Sequence, residues 1–332
     1  MRNKIRLYLI GLLAAISSVT QAQALSDSAR ISLVTCAPGE ELYARFGHTA
    51  LRVYDPENKL DVVFNYGIFD FNTDHFYWKF VRGETWYELG CTSMRWFLLE
   101  YEQEKRAVYQ QELLLTPEER EALWQALIVN AQPENKQYLY NFVFDNCATR
   151  PYHLIDKACR DSISSSYTGY TGETYRTFIR HYTGRYSWSN AGINLLFGRR
   201  ADQPMNSEQR LFLPEELMLY MQQAQRSDGT PLVRGNYTER FVIAKTPWYH
   251  SWPFGLVLYF LFVFLMSLYD LRRRKLSLWV DILAAIPYVL LLLIVAFLTF
   301  FSCHPLVGFG WRLLIIPVTH LCARSFYFIL RR

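Results

Sequence analysis

Two long uncharged apolar runs near the end of the chain constrain its fold more than any other feature. Residues 252–269 and 282–301 carry no acid or base, and a helix needs about 20 apolar residues to cross a bilayer's hydrocarbon core. Both read as transmembrane helices. Between them stands Arg272, Arg273, Arg274, Lys275, which the positive-inside rule puts in the cytoplasm. A third run, 313–330, contains His320 and Arg324 and is followed by Arg331 and Arg332, which return its end to the cytoplasm. The expectation is three spans at about 252–270, 279–301 and 311–330, within a membrane segment 251–332. Trp248, Tyr249 and Trp252 stand where an interfacial aromatic belt begins.

The other end of the chain agrees with that orientation. Arg2, Lys4 and Arg6 precede an apolar stretch from Leu7 to Val19, and Ala22 and Ala24 make an A-x-A site. That pattern is a secretory signal, with cleavage expected near Ala24; the apolar stretch is short for an uncleaved anchor. The net charge of +5 divides into +3 for residues 1–24, +6 for 251–332 and −4 for 25–250. The basic excess therefore sits at the membrane-facing ends, and nucleic acid loses its support as a partner. With 51% apolar and 17% aromatic residues, disorder is excluded. Residues 25–250 are expected to form one folded domain outside the cytoplasm.

The pattern within 25–250 is α+β. Residues 50–54 and 61–66 are short β-branched and aromatic runs joined by Asp55, Pro56, Glu57, Asn58 and Lys59, a hairpin with good turn chemistry. Thr116, Pro117, Glu118, Glu119 opens a helix with a capping box and proline at its first position. Residues 136–144 read as an aromatic strand, 148–160 as a helix, 162–190 as a loop, and 213–225 as a last helix.

Cysteine chemistry is the most specific functional signal in this domain. Cys36, Cys91, Cys147 and Cys159 lie in it, without a C-x-x-C pair, so zinc ribbons and thioredoxin-type sites are disfavoured. An exported location permits disulfides among the four. Cys147 is expected at a helix N-terminus, where unpaired N–H groups favour a thiolate, although a buried or disulfide-bonded cysteine is the ordinary reading. A nucleophilic cysteine needs a histidine base held by a polar group. His48 follows Gly47 at the start of the first hairpin strand, and Asn65 lies among apolar residues on the partner strand. His153 falls on the far side of the helix from Cys147. No metal-ligand pattern is evident, and thioester chemistry requires no cofactor.

The order His, polar residue, Cys resembles the permuted papain-like, NlpC-type fold. More specifically, TCAPGEELYARFGHTALRVYD, VVFNYGIFDF, YNFVFDNCATRP, FGRRADQPMNSEQRLFLPEEL and FFSCHPLVGFGWRLLIIP resemble the Bacteroides-type lipoprotein N-acyltransferase (Lnb) family. The resemblance implies Cys147 as nucleophile, His48 as base and Asn65 as the third polar group. Tyr43 could instead hydrogen-bond the site, and Asp145 or Asn146 could orient His48. Arg45 and Arg150 flank the motifs and could hold a lipid phosphate, or form structural ion pairs. The implied activity moves an acyl chain from a membrane phospholipid, through a thioester, to the α-amino group of a diacylated lipoprotein's N-terminal cysteine. Its place would be the bacterial inner membrane, multi-pass, with the catalytic domain in the periplasm. A phospholipase or an NlpC-type cell-wall peptidase or amidase is the alternative.

Overall fold

A computed structural model describes residues 24–308, except 71–72, 161–162, 170–172, 236, 238–239, 244 and 274–276. The signal stretch and the third apolar run lie outside the described residues. The strands are β1 Arg30–Cys36, β2 His48–Asp55, β3 Leu60–Ile68, β4 Trp86–Ser93, β5 Val108–Leu113, β6 Gln137–Leu139, β7 Ser164–Ser165, β8 Ala224–Gln225 and β9 Val233–Arg234. The α-helices are α1 Phe76–Arg82, α2 Met94–Gln103, α3 Pro117–Ala131, α4 Thr149–Ala158, α5 Tyr175–Thr183, α6 Trp188–Leu196, α7 Pro214–Gln222, α8 Trp252–Arg273 and α9 Leu278–Phe301. The class is α+β.

Seven strands form one antiparallel sheet in the order β6-β4-β3-β2-β1-β5-β9, so the expected hairpin β2–β3 supplies its centre. Alternation along these strands serves two apolar layers. One face buries Ile31, Leu33, Leu51, Val53 and Phe64 against Leu123, Trp124 and Leu127 of α3, Tyr152 and Ile155 of α4, and Leu217 and Met221 of α7. The other buries Val34, Ala50 and Val63 beneath Met94, Phe97 and Tyr101 of α2. A third cluster gathers Phe46, Tyr175, Phe178, Ile179, Tyr182 and Phe212.

The capping box that opens α3 forms as its sequence predicts: Thr116 Oγ1 accepts from Glu119 N–H and Glu119 accepts from Thr116 N–H at 2.8 Å. Two expectations fail. Only Gln137–Leu139 of 136–144 is strand, because Asn141 Oδ1 accepts from the N–H groups of Val143 and Phe144 at 3.1 and 3.0 Å, which turns the chain away from the ladder. The expected loop 162–190 contains α5 and the start of α6. Thr174 caps α5, and Tyr175, Phe178, Ile179 and Tyr182 line one helical face in the third cluster.

Trp252–Arg273 is long and apolar enough to cross a membrane, and α9 contributes an apolar stretch Ala285–Phe301. The sheet domain meets α9 directly, since Trp78 of α1 packs on Phe297 with ring centres 5.2 Å apart.

Candidate active site

His48 opens the central strand, and its position is fixed by the glycine before it. Gly47 has φ +78°, and a Cβ there would stand 2.7 Å from the carbonyl oxygen of Cys36, so only glycine permits the entry into β2. The β2–β3 register sets Leu51 opposite Phe64; continued by one step, it sets Asn65 diagonal to His48, within side-chain reach. His48 Nε2 and Asn65 Oδ1 are 2.5 Å apart. The amide oxygen can only accept, so Nε2 carries the proton and Nδ1 is the basic nitrogen.

Cys147 is positioned by Asn146. The amide Oδ1 of Asn146 accepts from the N–H groups of Ala148 and Thr149 at 2.8 and 2.9 Å, while Thr149 Oγ1 accepts from Asn146 N–H at 2.8 Å. This reciprocal cap makes Cys147 the first residue after it, ahead of the regular turns from Thr149. Asn146 Nδ2 donates to the carbonyls of Phe142 and Phe212 at 2.7 and 2.8 Å, which pins the turn to the segment before α7. Pro151 has no N–H to return to the Cys147 carbonyl.

Cys147 and His48 line one cavity of about 120 Å³. Its walls are aromatic, with Tyr43, Phe46, Phe69, Tyr87, Tyr140, Phe142 and Phe212 among the residues around the two polar groups. Tyr87 and Tyr140 stack with ring centres 4.1 Å apart, and Phe46 meets Phe142 at 4.8 Å. Gly67, whose φ of +95° favours glycine, lies beside the thiol: a Cβ there would be in ordinary contact with Cys147 Cβ at 3.6 Å. A larger hollow of about 290 Å³ lies elsewhere, beside Tyr167 and Arg240, with polar walls and neither His48 nor Cys147.

The aromatic walls set the charge state. Burial pushes the Cys147 thiol up to about 11, although the backbone N–H groups of Thr49 and of Cys147 itself favour the thiolate. Burial holds His48 down to about 4, against the bond to Asn65, which favours its protonated form. The helix-start effect that the sequence suggests is present, and desolvation outweighs it. At neutral pH the cavity holds a neutral thiol and a neutral imidazole.

Comparison with protein families settles the kinship of this chain. Residues 17–185 match the Lnb N-terminal periplasmic domain, and residues 246–332 match the Lnb transmembrane domain. The chain belongs to the Lnb family. Neither a curated protein nor a solved structure matches it. The Lnb periplasmic match contains His48, Asn65 and Cys147, and the transmembrane match contains α8 and α9. The chain is thus a membrane protein with a periplasmic domain.

The other residues singled out in the sequence divide by geometry. Tyr43 is exposed at the cavity, edge-on to Phe69 with ring centres 6.1 Å apart. Asn146 lines the cavity but is held in the cap. Arg45 donates to the Glu40 carbonyl at 3.1 Å. Arg150 grips Asp145 through two bonds of 2.6 and 2.8 Å and lies over the Tyr138 ring at 3.6 Å. Neither arginine is among the cavity's lining residues. Cys36, Cys91 and Cys147 are free thiols, and no disulfide joins Cys159 to any of them. Sequence reasoning missed Phe69, Tyr87, Tyr140, Phe142 and Phe212. Only the density of aromatic residues before Cys147 signalled such a wall. Among the described residues no cluster of His, Cys, Asp and Glu could hold a metal ion.

Proposed function

We propose that this protein is a lipoprotein N-acyltransferase working through an acyl-thioester on Cys147. The observation that carries the reading is the shared cavity: a thiol at a capped helix start and an imidazole held by Asn65, enclosed by aromatic rings. His, Asn and Cys in that chain order support a permuted papain-like, NlpC-type arrangement. Membership in the Lnb family supports the substrate class. The same reading puts residues 25–250 in the periplasm and spans at about 252–270, 279–301 and 311–330 in the inner membrane.

The chemistry follows from the two protonation states. His48 Nδ1 takes the thiol proton as Cys147 Sγ attacks the ester carbonyl carbon of a phospholipid, with Nε2–H held on Asn65. The Ala148 and Thr149 N–H groups are occupied by Asn146. The Cys147 N–H and the Thr49 N–H, both directed at the sulfur, are therefore the donors for the oxyanion. The imidazolium returns its proton to the departing lysophospholipid oxygen, leaving the acyl group on sulfur. The acceptor is the α-amino group of a diacylglyceryl-cysteine, whose pKa of about 8 leaves a neutral fraction at neutral pH. It attacks the thioester, His48 Nδ1 takes its proton, and the thiol is regenerated. Aromatic walls suit an acyl chain and give a charged peptidoglycan peptide nothing to pair with, so the cell-wall peptidase reading ranks below.

The test is the mass of lipoprotein N-terminal lipopeptides from cells with and without the protein. One added acyl chain is expected, lost in Cys147→Ala. Gain that persists in Cys147→Ala overturns the nucleophile, and free fatty acid without gain assigns a phospholipase.

A further inference from the structure

The described surface carries an aromatic helix that the thioester chemistry does not use. In α1, Tyr77, Trp78 and Phe80 are 73%, 54% and 49% exposed, a concentration of large rings unusual on a water-facing helix. This surface is continuous with the membrane helix α9. Trp78 packs on Phe297, the Cys303 N–H donates to the Arg82 carbonyl at 2.7 Å, and His304 Nε2–H donates to the Phe80 carbonyl at 2.8 Å. Phe297 lies four residues before Phe301, the last residue of α9, so Trp78 reaches about 6 Å below the helix end at 1.5 Å per residue. That depth matches helices lying in the headgroup–acyl boundary, whose apolar faces sink about 5–10 Å. On its inner side, Phe80 stacks on Phe76 at 6.1 Å and Phe76 on Phe69 at 5.7 Å, and Phe69 lines the Cys147 cavity.

We propose that α1 seats in the exported leaflet of the bilayer, and that the ring stack Phe80–Phe76–Phe69 guides one acyl chain of a phospholipid in that leaflet to Cys147. The guiding role rests on the acyl-transfer reading; the seat does not. A phospholipid is the occupant because the exposed rings join the apolar helix α9 at one end and the thiol cavity at the other.

Depth is measured on the full chain, reconstituted in phosphatidylethanolamine–phosphatidylglycerol vesicles with Cys303→Ser and Cys322→Ser. A nitroxide on Tyr77→Cys should be more accessible to oxygen than to a water-soluble nickel chelate, and one on Glu57→Cys, in the distant β2–β3 turn, should show the reverse. Equal aqueous accessibility at both sites overturns the seat. For the path, thioester formation on Cys147 is followed by intact mass with a bilayer phospholipid and with p-nitrophenyl butyrate. The variant Tyr77→Ser/Trp78→Ser/Phe80→Ser should slow the bilayer reaction by about tenfold or more, as its apolar anchorage is lost, and leave the soluble ester unaffected. An unchanged bilayer rate, or equal loss with both donors, overturns the path. If the unsubstituted chain forms no thioester with either donor, the acyl-transfer reading and the path fall together, while the nitroxide depths still decide the seat.

Discussion

Two polar clusters lie in the interior of the periplasmic domain, and they differ in how their polar atoms are partnered. At the start of α7 the side chains of Glu215 and Glu216 are fully buried, yet their oxygens are tied. Tyr182 Oη and the Phe241 N–H donate to Glu215. Arg240 donates to Glu216 at 2.6 Å, Tyr167 Oη donates to it at 3.0 Å, and Arg240 also donates to Tyr167 Oη at 2.7 Å. Arg240 also reaches Glu215 at 3.5 Å, and these bonds lock α7 to residues 240–241. The His48–Cys147 cavity is less deeply buried, and burial keeps both of its groups neutral. A buried charge that is fully paired holds a fold together, because losing either partner strands the other. A neutral thiol with a neutral base holds little together, and its proton is free to move when a substrate arrives.

The largest test of this contrast is the reactivity of Cys147 with iodoacetamide against pH, followed by peptide mass. Burial favours the thiol, so alkylation should rise about tenfold per pH unit, or about 10³-fold from pH 7 to 10, levelling only near pH 11. Fast, flat alkylation between pH 5 and 8 would mean a preformed thiolate–imidazolium pair and erase the distinction between the clusters. His48 carries a second sign. Its folded value of about 4 lies below the ordinary 6.5, so the unfolded chain takes its proton first. Its contribution to stability is full above pH 6.5 and declines as pH falls toward 4.

Next in size is Glu216→Ala, which leaves Arg240 and Tyr167 without their shared acceptor. A loss of about 3–5 kcal/mol is expected for breaking a buried pair, read as a fall in thermal midpoint, with thioester formation per folded molecule retained. If stability is unmoved, the α7 cluster is not the structural one.

Much of this was legible in the sequence where the determinant is local. Thr116 and Glu119 are three residues apart and specify their own cap, and the turn from Asp55 to Lys59 fixes the hairpin that bears His48 and Asn65. The α5 helix was equally legible from Tyr175, Phe178, Ile179 and Tyr182 at helical spacing, but the surrounding Ser, Thr and Gly masked it. Site chemistry was half legible. Gly47-His48 and Asn146-Cys147 pointed to the two polar groups that share the cavity, while the thiol's burial depends on Tyr87, Tyr140 and Phe212, brought to the cavity by strand pairing and by a turn 66 residues from its anchor. No local pattern carries that desolvation. Glu215 and Glu216 read as an ordinary acidic first turn, and only the approach of Arg240, Tyr167 and Tyr182 shows them to be interior.

A smaller effect separates orientation from chemistry within the cavity. Asn65→Ala removes the acceptor from His48 Nε2 without touching Cys147. The imidazole can then rotate, and misplacement of a base by about 1 Å costs about 10²-fold. Thioester formation should fall by about that factor with little change in the alkylation profile, because burial, not Asn65, sets the thiol's proton affinity. Asn65→Asp restores an acceptor in the same place and should recover part of the rate; a variant no better than alanine would deny Asn65 its orienting role.

The smallest effect calibrates the others, since it lies in neither cluster. Thr116 Oγ1 accepts from the Glu119 N–H at 3.2 Å at an exposed helix start, and Thr116→Ala should cost about 1 kcal/mol. Glu119 also accepts from Arg226 at 2.6 Å, so most of its contacts survive the change. Alkylation of Cys147 and thioester formation should be unchanged at temperatures where the variant is folded. If this loss matched that of Glu216→Ala, the α7 cluster would be no more than another exposed cap in its effect, and burial would not be what makes its bonds structural.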